Sequence, residues 1–229
     1  MRKKCLLCDQ DIKIDLDFSK ILLPSKEVEN NCCNNCLEKF EKIGENFCPQ
    51  CHRRQLDKEI CSDCKQWQKI YHGNVLVNHS YYIYNSFAHD LMVSYKRRGD
   101  YVLRKVLQDL IRDKIIGLQA DFFIPIPTSP EHQKIRKFDT ISAIFSELVP
   151  LTNALAKKQG TKAQGEKNRQ ERLKTEQNFI LLNKENLKLH GKVLILDDIY
   201  TTGRTLYHAR DKLLERFPDC QIESFSINR

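Results

Sequence analysis

The chain has 229 residues, of which 41% are hydrophobic and 30% charged, and a formal charge of +8. That length suits one medium domain plus a small one, at about 100–200 residues per domain, and no run approaches the roughly 18 apolar residues of a membrane span. The first residues, Met1-Arg2-Lys3-Lys4-Cys5-Leu6-Leu7-Cys8, meet Asp9 and Asp11 before an apolar segment could form, which excludes a secretory signal and predicts a soluble, cytoplasmic, not membrane-spanning protein.

In a reducing compartment ten cysteines point to metal binding or catalysis rather than disulfides. Eight of them form four C-x-x-C pairs: Cys5/Cys8, Cys33/Cys36, Cys48/Cys51 and Cys61/Cys64. Two intervening residues let both thiolates of one tight turn reach a single tetrahedral zinc, so two Zn²⁺ per chain, each on four cysteines, are expected. Nine residues separate Cys51 from Cys61, and chain closure favours pairing these neighbouring knuckles, which leaves Cys5, Cys8, Cys33 and Cys36 for the other metal. Cys32 could stand in for Cys33, although that breaks the spacing to Cys36. Cys220, far from both groups, reads as a core residue. The apolar residues of the first 70, among them Leu6, Leu7, Leu22, Leu23, Phe40, Phe47, Ile60 and Trp67, are scattered rather than patterned into a large core. So small a core needs metal for much of its folding energy.

Further along, Val75–Tyr84 alternates like one or two strands. Phe87, Leu91, Met92 and Tyr95 keep one apolar helical face that ends at Lys96-Arg97-Arg98-Gly99, and a second helix is predicted over Tyr101–Ile116 with Val102, Leu103, Val106, Leu107, Leu110 and Ile111 inward. Phe122–Pro127 reads as a buried strand ended by two prolines. A helix at Thr140–Leu148, a short strand at Leu151–Leu155, a strand at Val193–Leu196, a helix at Arg204–Glu215 and a strand at Ile222–Ile227 follow. Strands alternating with helices imply an α/β domain with a mostly parallel sheet. The stretch Ala156–Lys174, rich in Lys, Gln, Gly and Arg, reads as a mobile hood.

The sharpest chemical signal is Val193-Leu194-Ile195-Leu196-Asp197-Asp198-Ile199-Tyr200-Thr201-Thr202-Gly203-Arg204-Thr205. A buried strand leads into two acids and then a Thr/Gly loop that opens a helix, the place where open α/β sheets bind ligands. Backbone N–H groups and hydroxyls of Thr201–Thr205 can cradle a phosphate, with Gly203 allowing close approach. Asp197 and Asp198 are placed to accept hydrogen bonds from ribose hydroxyls. A Walker A loop is excluded because its G-x-x-x-x-G-K-[ST] spacing is missing. His79, His89 and His132 show no spacing that assigns them a role.

This stretch resembles the 5-phosphoribosyl-1-pyrophosphate (PRPP) motif of type I phosphoribosyltransferases. With the four knuckles, Tyr-Lys-x-Arg-Gly-Asp at 95–100 and Ile-Pro-Ile-Pro at 124–127, nearly the whole chain resembles the competence protein F (ComF/ComFC) family. The resemblance implies a double zinc ribbon over residues 1–70 and a phosphoribosyltransferase-like domain over 71–229. It also implies a role in natural transformation with a helicase-like ATPase of the ComFA type, acting on incoming single-stranded DNA at the inner face of the membrane. Carried over residue by residue, Asp197 and Asp198 hold the ribose, Thr201, Thr202, Gly203, Arg204 and Thr205 the 5′-phosphate, and Lys96 and Arg136 face the diphosphate, with Mg²⁺ accompanying PRPP. Gln164 and Arg172 fall in the hood. The chain departs from the family at Arg136-Lys137-Phe138-Asp139, where Arg-Gly-Phe-Asn is usual. Thr201 occupies the place where purine-salvage members of the fold have an acid, and a threonine is no general base at neutral pH.

The charge is uneven: residues 94–114 hold seven Lys/Arg against three acids and residues 132–175 hold ten against four, so the rest is slightly acidic. PRPP alone accounts for three or four of these cations by simple charge matching, and the surplus suggests a longer polyanion. Lys96, Arg97, Arg98, Lys137, Lys167, Arg169 and Arg172 are the candidate DNA contacts. Two functions stay open: a competence factor that binds PRPP or a related phosphate together with DNA, and an active phosphoribosyltransferase of nucleotide salvage or cofactor metabolism.

Overall fold

The computed structural model describes residues 3–12, 31–158, 177–182 and 187–229. Val193, Leu194, Ile195 and Leu196 are at most 1% exposed, and a strand buries consecutive residues only where both faces of its sheet are covered. In chain order the strands are β1 (Asn78–His79), β2 (Phe122–Pro125), β3 (Leu155–Lys157), β4 (Phe179–Leu181), β5 (Lys192–Ile199) and β6 (Gln221–Asn228). The helices are α1 (Asn34–Leu37), α2 (Ser62–Ile70), α3 (Ser86–Lys96), α4 (Arg104–Ile116), α5 (Pro130–Arg136), α6 (Thr140–Phe145) and α7 (Arg204–Leu214). The main sheet runs β1-β6-β5-β2 with every pairing parallel, while β3 and β4 form a separate antiparallel pair. This is the mixed α/β class expected from the alternating pattern.

Alternation along the strands builds two apolar layers. Leu194, Leu196, Phe123, Phe225 and Ile227 pack with Leu91 and Met92 of α3, Leu107 and Ile111 of α4 and Ile144 of α6. On the opposite face Val193, Ile195 and Ile124 pack with Leu206, Tyr207 and Leu213 of α7. The cysteines divide between the layers: Cys5, Cys32 and Cys36 join the first, and Cys48, Cys51, Cys61 and Cys64 join the second beside Trp67. After β2 the chain makes α5 and α6 and reaches Leu151, which bridges Phe123, before returning to β5 on the other side of β2. That reversal opens a crevice beyond the carboxyl ends of β2 and β5. Among the described residues no helix is long and apolar enough to cross a membrane.

Several elements differ from the sequence expectation. Val75–Tyr84 contributes only β1 and a bridge from Tyr82 to Asn228, because the cysteine-rich segment takes other bonds of this run: Asn78 N donates to Gln50 O and Ile43 N to Tyr81 O. Val102, expected inward, is 41% exposed. It sits in a 3-10 turn, Tyr101–Leu103, whose tighter winding rotates it off the apolar stripe. The strand expected at Leu151–Leu155 starts only at Leu155 and pairs with β4, and the helix from Thr140 ends at Phe145. Helix α5 is unanticipated, although Ser129 accepts the His132 N–H as its cap and Pro130 opens it. Cys220 is half-buried against the second layer.

Helix α5 ends on Lys137 at φ 67°, in the left-handed region. This is the position where the resembled pattern has glycine, and a side chain there costs about 1 kcal/mol that glycine avoids. Lys137→Gly is therefore expected to raise stability by about 1 kcal/mol, read as a higher denaturant midpoint. A lower midpoint would mean that the lysine side chain outweighs its backbone strain. Asp139 serves as an acceptor, taking the Thr128 N–H at 2.7 Å and the Ser142 N–H at 2.8 Å.

Candidate functional site

Strand β5 runs on through Asp197 and Asp198 rather than stopping before them, so both acids stand on rigid backbone at the crevice. Asp198 is 3% exposed and forms an ion pair with Lys96 Nζ from the last turn of α3. Asp197 is half-buried and accepts the Asp198 N–H at 2.9 Å. Burial, with the Asp198 charge adding to it, pushes the Asp197 carboxyl up to about 7 against the opposing pull of Lys96 and Lys157. Burial likewise pushes the Lys157 ammonium and the Arg136 guanidinium down.

An acid raised in the folded state binds more protons there than when unfolded, so stability falls as pH rises from about 4 to about 7 and the full cost is borne above that. Asp197→Asn removes the cost. It is expected to be more stable than the wild type at pH 8, with the advantage vanishing near pH 4, as followed by thermal melts across pH. An advantage that is flat with pH would refute the raised carboxyl.

Past β5, Gly203 turns the chain into α7 at φ 81°. A Cβ there would overlap Tyr200 Oη and lie 2.6 Å from Tyr200 Cζ. Arg204 N–H donates to Thr202 Oγ1 at 3.4 Å. The crevice is about 400 Å³ and brings together Asp197, Asp198, Thr201, Thr202, Arg204, Thr205, Lys96 and Arg136, while Gly203 shapes the loop from behind. Arg97 lines it as well, and Arg98 and Lys137 are exposed outside it. Lys96, also a candidate DNA contact, is committed to Asp198. Lys167, Arg169, Arg172 and Gln164, and most of the hood, lie outside the described residues.

Sequence reasoning missed Thr128, Ser129, His132, His89, Tyr84 and Lys157 in the lining. His89 was legible in principle: it lies seven residues, two helical turns, before Lys96 on α3 and shares its face. Ser129 and His132, joined at 3.2 Å, sit at the α5 start that the Ser-Pro pair marks. Lys157 comes from the β3–β4 pair, which no local pattern announces. Five cations (Lys96, Arg97, Arg136, Lys157, Arg204) face two carboxylates in this lining, an excess of positive charge that favours anions.

The cysteines form two groups, Cys5/Cys8/Cys33/Cys36 and Cys48/Cys51/Cys61/Cys64, with sulfur atoms within 4.8 Å of one another in each. Cys8–Cys33 and Cys51–Cys61 are both 3.7 Å apart, close to the roughly 3.8 Å edge of a tetrahedron with metal–sulfur bonds of about 2.3 Å. Backbone N–H groups of Leu7 and Cys33 point at Cys5 Sγ, and that of Cys61 at Cys48 Sγ, at 3.3–3.4 Å, which favours thiolates. Four sulfurs without an oxygen donor suit zinc. Cys33, not Cys32, completes the first group; Cys32 lies buried beside it, 3.8 Å from Cys5 Sγ.

A parallel α/β fold with a cation-rich crevice at its strand-order reversal and two four-cysteine groups defines an α/β protein with a cysteine-rich, metal-fitting N-terminal region. No family model matches the chain. The sequence is 34% identical over 226 residues to competence protein ComFC of Streptococcus pneumoniae, spanning 99% of this chain and 100% of that one. It is 28% identical over 232 residues to competence protein ComFC of Bacillus subtilis, spanning 98% and 94%. The chain belongs to the ComFC family of competence proteins.

Proposed function

We propose that the protein acts in natural transformation, binding PRPP or a related sugar phosphate in the crevice and handling incoming single-stranded DNA with a helicase-like ATPase of the ComFA type. Family membership supports a role in competence. The observation that carries the ligand reading is the crevice itself, where two strand-end carboxylates and a Thr/Gly loop stand among five cations. Thr201–Thr205 would hold the 5′-phosphate, Asp197 and Asp198 the ribose hydroxyls, and Arg136 and Lys157 the diphosphate. Mg²⁺ bound with the ligand would neutralise part of the diphosphate charge. Losing a hydrogen bond to a charged group costs about 1.5–3 kcal/mol, so Asp197→Asn with Asp198→Asn is expected to weaken PRPP about ten- to a hundredfold in calorimetry with Mg²⁺. Wild-type affinity in the double variant would exclude the assignment.

For DNA, roughly four to six phosphate contacts give a slope of log affinity against log salt of about −3 to −4 on a single strand. Arg97→Glu with Arg98→Glu is expected to flatten it. Affinity that is undetectable at about 50 mM salt would move the weight to the second reading, an active phosphoribosyltransferase. One feature favours that reading: the Asp197 carboxyl lines the crevice, where burial pushes it up to about 7, and a carboxylate so placed suits a general base at neutral pH. Pyrophosphate release from PRPP, assayed across bases, amines and DNA, separates the two.

A further inference from the structure

The loop Tyr200–Gly203 is held from behind by the second four-cysteine group. Cys61 caps α2, and Cys64 and Trp67 follow on one face of that helix, a turn apart. The Trp67 indole N–H donates to Thr202 O at 2.9 Å, and its ring stacks on Tyr207 of α7 at 4.2 Å. Arg229, just beyond β6, closes the same junction. Its guanidinium donates to Thr201 O at 3.1 Å and Tyr200 O at 3.4 Å, and to Cys51 O at 3.2 Å and Cys51 Sγ at 3.3 Å, while lying 4.6 Å over the Tyr200 ring.

Three consecutive carbonyls, those of Tyr200, Thr201 and Thr202, are thus tied toward the cysteine group. In a trans peptide the C=O and the following N–H point in opposite directions, and the chain has no cis bonds among the described residues. Pinning these carbonyls therefore turns the N–H groups of Thr201, Thr202 and Gly203 away from the cysteines. Among the described residues no acceptor takes any of the three, although Thr202 is only 5% exposed. Thr201 itself is exposed, but Thr202 and Gly203 are buried, and buried N–H groups without partners call for one from outside the chain; successive N–H groups turned to one side form an anion-binding concavity.

We propose that Trp67 and Arg229 are positioning residues that fix the phosphate loop against the second metal centre, so that metal retention by Cys48, Cys51, Cys61 and Cys64 and anion binding at Thr201–Gly203 strengthen each other. This rests on the reading of the loop as a phosphate site. The coupling is reciprocal: whatever factor the metal adds to anion affinity, the anion returns to metal affinity.

The test uses the full zinc-loaded chain, with PRPP and Mg²⁺ as the probe. Trp67→Phe keeps the ring and removes the donor. Arg229→Lys keeps the charge and removes the fork. Each is expected to weaken PRPP about five- to tenfold in calorimetry while two zinc ions remain bound, the loss expected for one hydrogen bond. In competition with a chelator, saturating PRPP is expected to tighten one of the two zinc ions in the wild type, and Arg229→Met is expected to erase that protection. A merely structural role would lower zinc affinity equally with and without PRPP. Should Trp67→Phe fail to fold, the wild-type zinc titration decides alone: zinc affinity unmoved by bound PRPP overturns the inference while leaving the ligand reading intact. A wild type that binds no PRPP overturns the ligand reading and the inference with it.

Discussion

Cys48→Ser is expected to leave one metal per chain instead of two and to lower the melting temperature by more than about 10 °C. Cys48 has no exposed surface, and its group shares a layer with Trp67, Leu206, Tyr207 and Leu213. In isolated zinc modules the metal supplies apparent folding energies of about 10–16 kcal/mol, comparable to the whole stability of a domain at about 5–15 kcal/mol. Half of that, at about 2–4 °C per kcal/mol for this chain length, amounts to about ten degrees or more. The damage should reach the sheet, because the cysteines pack on it directly. Metal analysis with calorimetric melts checks both parts; a variant that keeps two metals, or the wild-type midpoint, would refute the assignment.

Gly203→Ala is expected to cost about 2–5 kcal/mol and, on the proposed ligand reading, to abolish measurable PRPP binding. Two penalties combine. A side chain at φ 81° costs about 1–2 kcal/mol. The added Cβ also collides with the Tyr200 ring, which is 3% exposed beneath Arg229 and has nowhere to move; overpacking of this kind costs about 1–3 kcal/mol. Gly99→Ala is the control, since Gly99 has φ 73° but nothing within 4 Å of a Cβ, and only the backbone part should appear. Equal losses in the two variants, by chemical denaturation, would show that the Tyr200 contact contributes nothing.

The four-cysteine groups and the acidic strand end were legible because their signals are local. A C-x-x-C turn brings its own two sulfurs together, and Val193–Leu196 followed by Asp197-Asp198 states burial and then polarity within six residues. The pairing of knuckles followed from the short link between Cys51 and Cys61. What escaped depends on packing. Lys157 reaches the crevice only because β3 pairs with β4, a contact between segments with no pattern in common. Val75–Tyr84 looked like strand because it alternates, but its hydrogen bonds are shared with residues 41–50, and alternation cannot say with whom a strand pairs. Val102 fell on the apolar side of a wheel drawn at 100° per residue, whereas the chain there winds at 3-10 pitch.

The order of the strands has a consequence for synthesis. β6 is the last strand in the described chain, yet it lies between β1 and β5, and Asn78 meets Ser224 across 146 residues. A nascent chain therefore has all its cysteine knuckles in hand long before the layers that bury them can close. Local metal capture would come first, while β1 and β5 wait with open edges that invite pairing with other chains. Closure across so long a span is slow. The hazard in making this protein thus lies late, after the four-cysteine groups have formed and before residues 221–229 slot into the middle of the sheet. Zinc supplied early, and slow synthesis at low temperature, should raise the yield of folded chain more than any treatment after release.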